Sequence, residues 1–149
     1  MPLNDPIQSL LRRKMGEVWS VSPDNSVFDA VALMAERQIG ALPVMQGRQI
    51  VGLLSERDYA RKIILMGRSS KETRVDEIMT SPVVTVSPND SVTHCMHVMT
   101  ELRIRHLPVI ENGEMVGILS IGDVVNWTIQ RHEETIQQLH EYISGSYPA

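Results

Sequence analysis

The sequence predicts an α+β fold made of two tandem copies of one small unit, followed by a C-terminal helix. Three observations carry that reading. Shifting the chain by 65 positions lays Val18–Asp58 on Val83–Asp123 without a gap, and roughly seventeen of the forty-one aligned positions are identical. Each copy holds one stretch of helical periodicity and several short β-branched runs bounded by turn residues. A chain of 149 residues, 42% of them hydrophobic, can bury roughly 68–70% of its unfolded surface, so a proper core forms without disulfides.

In the first copy, Val18–Val21 predicts a short strand that Ser22-Pro23 stops, because the residue before a proline is pushed out of the helical region. Ser26 caps the first helix. Asp29 lies three residues beyond that cap, and Val27, Ala30, Val31 and Met34 make one apolar stripe. Leu42–Met45 and Ile50–Leu54 predict two strands joined by the tight turn Gln46–Gln49. Ser55–Asp58 then opens a second helix, running from Tyr59 to about Met66. The second copy repeats this order: strand Val83–Val86, helix from Ser91, strands Leu107–Ile110 and Met115–Leu119 around Glu111–Glu114, helix from Ser120. Each copy therefore reads β-α-β-β-α.

Polar Gly67–Arg74 has linker character, and Val75–Met79 predicts a helical turn leading into the second copy. Beyond about Ile129, residues Ile129, Ile136, Leu139 and Ile143 lie near helical spacing and predict an amphipathic helix with no counterpart after the first copy. The expected organisation is repeat 1 at 7–66, linker and lead-in turn at 67–78, repeat 2 at 79–130, and C-terminal helix and tail at 131–149. Neither unit alone covers both faces of a three-stranded sheet, so the two small sheets are expected to pack with pseudo-twofold symmetry around a shared core.

Composition excludes several classes of function. A net charge of −4 argues against nucleic acid as partner, since that affinity rests on a basic face. The clusters Arg12-Arg13-Lys14 and Arg57 to Arg74 read as solvated faces. No run approaches the roughly 18 apolar residues of a membrane span. The N-terminus has charges where a secretory signal needs an apolar core, and Cys95 has no second cysteine to pair with, so the cytoplasm is the expected compartment. His94 and His97 could share a metal at helical spacing. Cys95, however, takes the stripe position of Ala30, which makes a small buried thiol the simpler account, and no metal is expected. No nucleophile with a base and no Gly-rich loop followed by Lys is present, so no catalysis is expected.

The motif Val-Gly-x-Leu-Ser-x-x-Asp occurs at Val51–Asp58 and again at Val116–Asp123. One reading is structural: Ser55 and Ser120 cap helices, and Asp58 and Asp123 favour the positive end of the helix dipole. The other is functional. Free amides at a helix start seat an anion, and a carboxylate can accept both hydroxyls of a ribose diol. Gly52 and Gly117 would let a flat ring approach the backbone, and Pro43 and Pro108 put the "LPV" runs at an edge with peptide groups free for an outside partner.

Together, "LPV…VGxLSxxD" and "VSP…SV" resemble the CBS domain, and the tandem resembles a Bateman module over about Ile7 to Gln130. The resemblance implies clefts between the repeats that hold adenosyl ligands. Asp58 and Asp123 would each hold a ribose, and Ser55 and Ser120 would bond nearby sugar or phosphate oxygens. The backbone at Gly40, Ala41 and Leu42 and at Arg105, His106 and Leu107 would flank adenine or phosphate, and Trp19 could stack on a purine. Arg105 and His106 would reach phosphate held beside Asp58, with Arg57 as a further cation, which makes the Asp58 cleft the stronger candidate. The expected function is a sensor of AMP, or else of ADP, ATP or NAD, with no obligatory cofactor. It would act on a separate, unidentified protein, as a homodimer, with neither nucleic acid nor membrane as partner. The alternative is a constitutive dimerisation scaffold whose Ser-x-x-Asp motifs are caps only.

Overall fold

A computed structural model describes residues 4–14 and 16–144 of the chain. In chain order the elements are α1 (Ile7–Arg13), α2 (Val27–Arg37), β1 (Ala41–Gln46), β2 (Gln49–Ser55) and α3 (Glu56–Tyr59), which runs into a π-helical turn at Ala60–Ile64. There follow α4 (Val75–Ile78), α5 (Val92–Leu102), β3 (His106–Glu111), β4 (Glu114–Ser120) and α6 (Ile121–Ser144). They form two compact units. One comprises Gly16–Thr85 with Pro108–Ile118; the other comprises Met1–Met15, Val86–Leu107 and Leu119–Ala149.

In the first unit, the Ser26 hydroxyl accepts the Asp29 N–H at 3.0 Å and starts α2 as the stripe predicts. Val27, Ala30 and Met34 are buried against Leu42, Val44 and Leu54 of the antiparallel β1–β2 hairpin. Gln38, in the left-handed region, ends the helix, and the Ile39 N–H returns to the Met34 carbonyl. The predicted strand Val18–Val21 does not form as a strand. Only Val21 pairs, in parallel fashion with Val44, because Ser22-Pro23 turns the chain away at once; each copy's sheet is two-stranded. Val21 donates to the Pro43 carbonyl at 3.1 Å and accepts from Met45 at 2.8 Å, so the edge of "LPV" in this copy is not free for an outside partner.

The second helix of this copy is shorter than expected. After α3, the amides of Leu65 and Arg68 reach back five residues, to Ala60 and Ile63. Ile63 stays buried while Ile64, Leu65 and Met66 turn outward. The linker is not loose either: Phe28 N–H bonds the Ser70 carbonyl, and buried Thr73 bonds Ser69 O at 2.7 Å.

The expected role of Gly52 also changes. Its empty side is filled by the Met79 side chain, whose Cγ would lie 2.8 Å from an added Cβ, while Leu53 and Thr80 exchange backbone bonds of 3.0 and 2.8 Å. Gly52→Val should therefore lower stability by roughly 1–3 kcal/mol, as overpacking does, in a denaturant titration. Unchanged stability would mean that Met79 moves aside freely.

In the second unit, Ser91 caps α5, accepting the His94 N–H at 3.0 Å, and Val92, Cys95 and Met99 are buried. Helix α1, which the sequence reading left without an element, packs on α6, and its Ile7 and Leu10 are buried. Its docking shows an exchange of lead-in segments. Ile7 and Gln8 donate to the Asp90 and Pro88 carbonyls at 2.8 and 3.0 Å, just as Val75 and Asp76 donate to Asn25 and Pro23 at 2.8 and 3.0 Å. The helix that precedes the first copy thus seats on the second copy's turn, and α4, which precedes the second copy, seats on the first. The second helix of this copy and the C-terminal helix are one uninterrupted α6. The side chains of Leu139 and Ile143, and the tail 145–149, lie outside the described residues. Among the described residues no helix is long and apolar enough to cross a membrane.

Candidate functional site

Both Ser-x-x-Asp motifs fold as reciprocal caps. At α3, Asp58 Oδ2 accepts the Ser55 N–H at 3.0 Å and its hydroxyl at 3.1 Å, while the Ser55 Oγ accepts the Asp58 N–H at 3.3 Å. At α6, Asp123 Oδ2 accepts the Ser120 N–H at 2.8 Å and Ser120 Oγ accepts the Asp123 N–H at 3.1 Å. Each cap engages only one carboxylate oxygen, so what happens to the other decides what the site can do.

At Asp58 the other oxygen is taken. Oδ1 accepts the Thr80 hydroxyl at 3.1 Å and pairs with Lys62 Nζ at 3.1 Å, and Lys62 also donates to the Ile78 carbonyl at 2.9 Å. Asp58 is 7% exposed. Two residues that the sequence reading did not single out, Lys62 one helical turn on and Thr80 just past α4, therefore close this carboxylate. The first was findable from its i,i+4 spacing; the second was not.

Asp123 is more open. Among the described residues its Oδ1 accepts no hydrogen bond, and Oδ2 carries a second partner, Lys14 Nζ at 2.8 Å, delivered by the end of α1. Beside it lies a cavity of about 150 Å³ whose wall includes Arg13, Lys14, Asp123, Asn126 and Trp127. That is smaller than the roughly 300 Å³ at which pockets for whole small molecules begin, so it can hold a sugar or phosphate and leave a base outside. The charge-based preference for Asp58 is thus opposed by access: among the described residues it is Asp123 whose second oxygen accepts no hydrogen bond.

The remaining candidates divide between backbone and side chain. The Gly40 carbonyl accepts Glu56 N–H at 3.1 Å and the Arg105 carbonyl accepts Ile121 N–H at 2.8 Å, so both peptides face a helix start. Ala41, Leu42 and Leu107 are buried in the core and can offer a ligand little beyond backbone. Arg57 and Arg105 are exposed, and His106 is half-buried. Arg105, His106, Ser120, Asp123 and Lys14 all belong to the second unit. Trp19 is packed against the first core with the Arg37 guanidinium 3.9 Å over its ring, so one face expected for a purine is occupied.

Cys95 is fully buried, and burial first, then the charge of Asp90, pushes its thiol up to about 11. The thiol form is favoured in the folded protein, so its contribution to stability is complete below the unfolded value near 9 and is lost as pH rises through about 11. A thiol reagent at pH 8 should leave Cys95 unmodified until denaturant is added. Prompt labelling of native protein would contradict this. No group of three or more potential metal ligands comes together among the described residues.

The sequence model of the family described as "CBS domain" matches residues 7–65 and 75–129. The Arabidopsis thaliana protein "CBS domain-containing protein CBSX3, mitochondrial" is 43% identical over 150 residues, covering 97% of this chain and 73% of that one. A solved structure with CBS domains from Burkholderia ambifaria has 46% identity and a TM-score of 0.82 over 85% of this chain and 95% of that chain. The hexameric CBS-CP12 protein from bloom-forming cyanobacteria has 30% identity and a TM-score of 0.73 over 84% and 72%.

Proposed function

The chain belongs to the CBS-domain family, with two CBS domains in tandem, and on that premise we propose that it is a regulatory module whose Asp123 holds the ribose of an adenine nucleotide. Proteins made of CBS domains alone are regulatory and not catalytic. The carrying observation is Asp123 Oδ1, which accepts no hydrogen bond among the described residues, beside a sugar-sized cavity. AMP is the preferred ligand, with ADP, ATP and NAD as alternatives. By resemblance Arg105 and His106 reach a phosphate held beside Asp58, and at Asp123 Lys14 supplies the cation on its position. Lys14 pairs with Asp123 at 2.8 Å, and in this reading its ammonium turns to phosphate when the nucleotide binds. Asp58, Ser55 and Arg57 form the second site, where a ribose has to displace Thr80 and Lys62. The regulated protein is a separate chain, the assembly is a homodimer, and the compartment is the cytoplasm; the Arabidopsis relative is mitochondrial by name.

The caps themselves favour a second reading, a scaffold that binds no nucleotide. A thermal-shift screen with AMP, ADP, ATP, NAD and S-adenosylmethionine separates the two. At 100 times Kd a ligand stabilises by ~2.7 kcal/mol, which raises Tm by several degrees. No shift with any of the five would leave the scaffold. Lys14→Ala should weaken AMP by several-fold while leaving adenosine unchanged or tighter, because it frees Asp123 as it removes a cation. Equal losses for both would remove Lys14 from the phosphate.

A further inference from the structure

An ionised carboxylate offers about four acceptor positions, shared between its two oxygens. At Asp58 the chain's own donors take them all: the Ser55 N–H and O–H on Oδ2, and the Thr80 O–H and Lys62 Nζ on Oδ1. The two pairs are held differently. Ser55 is the cap of α3 and cannot leave without fraying that helix, whereas Thr80 and Lys62 bond through side chains that reach solvent and can turn away. The movable donors sit together on one oxygen, as the two hydroxyls of a diol would.

Neither of them is a by-product of the repeat. A shift of 65 positions puts Trp127 at the place of Lys62 and Met15 at that of Thr80, so neither the amine nor the hydroxyl is duplicated. Both also lead to the end of α4. Lys62 donates to the Ile78 carbonyl at 2.9 Å, Met79 fills the empty side of Gly52, and Thr80 exchanges backbone bonds with Leu53.

From this we infer that Lys62 and Thr80 form an autoinhibitory clasp, an internal substitute for a ribose diol, which keeps the Asp58 site closed until nucleotide is abundant and loosens α4 when it opens. A ribose that takes Oδ1 of Asp58 displaces the Thr80 hydroxyl and the Lys62 ammonium together. Lys62 then loses the anion that keeps it over the Ile78 carbonyl, and the end of α4 is left with its contacts to β2 alone. Filling comes in two steps, Asp123 first and Asp58 at higher concentration, and only the second step reaches α4. The clasp presupposes the nucleotide proposed at Asp58 and adds to it what sets the threshold and which element registers occupancy.

Calorimetric titration with AMP tests it in Asp123→Asn, where the other site is weakened, with Thr80→Val or Thr80→Ser added. Thr80→Val removes one competing donor and should tighten AMP by at least about fivefold, the worth of one such hydrogen bond, while Thr80→Ser keeps the hydroxyl and should bind like its parent. Adding Asp58→Asn should abolish the gain. Lys62→Met is the second variant should Thr80→Val fold poorly, and it should tighten adenosine by a similar factor. Saturating AMP should also speed amide exchange in the Asp123→Asn protein at Met79, which donates to the Val75 carbonyl at 2.9 Å, against the protection a ligand usually gives. AMP binding that Thr80→Val leaves unchanged or weakens would overturn the clasp and keep the Asp58 site. No binding of AMP to any of these variants at millimolar concentration would overturn that site and the clasp with it, and slower exchange at Met79 on binding would overturn the loosening of α4.

Discussion

Asp58→Ala lowers the unfolding free energy by roughly 2–3 kcal/mol, well beyond the typical ~1 kcal/mol of a lost helix cap. The excess has a definite origin. Removing the carboxylate strips partners from the Ser55 amide and hydroxyl, the Thr80 hydroxyl and Lys62 at one stroke, in a place where the residue is buried. Lys62 has a side-chain exposure of 44%, so its charge turns to water and the full penalty of a broken buried pair does not apply. Asp123→Ala, by contrast, loses a cap and a half-exposed pair with Lys14 and should cost about 1 kcal/mol. Paired urea titrations read both values, and equal losses would show that Thr80 and Lys62 contribute nothing to the closure of Asp58.

Asp123→Asn weakens AMP by roughly 10- to 150-fold, which is the ~1.5–3 kcal/mol of hydrogen bonds to a charged group. The amide keeps one acceptor oxygen but loses the charge and the second acceptor that a diol needs. Stability should change by less than about 1 kcal/mol, since the amide oxygen can still take the Ser120 N–H. Calorimetric titration with AMP measures the loss. A variant that binds as tightly as wild type would remove Asp123 from the ribose.

What the sequence made legible is what local chemistry decides. The stripe Val27, Ala30 and Met34 under a Ser cap, and the hairpins around Gly47 and Gly113, follow from periodicity and turn geometry, and both are present. The Ser-x-x-Asp pairs illustrate the boundary of that method. The same four residues satisfy a capping box and a ribose contact, and only the second carboxylate oxygen distinguishes them. What decides it comes from distant segments that dock through the exchange of α1 and α4: Thr80 takes the second oxygen of Asp58, whereas Lys14 joins the capping oxygen of Asp123 and leaves the second one without a hydrogen bond among the described residues. No spacing along one copy encodes that exchange. Gly52 fails for the same reason: an absent side chain reads as room for a ligand until Met79 is found in it.

The central claim is a ribose on Asp123, and titrating wild type and Asp123→Asn with AMP and with 2′-deoxy-AMP tests it most directly. The account predicts that the wild type loses at least tenfold in affinity when the 2′-hydroxyl is absent, and that the variant binds the two ligands alike. Equal affinity of the wild type for both, or no binding of either, would contradict it.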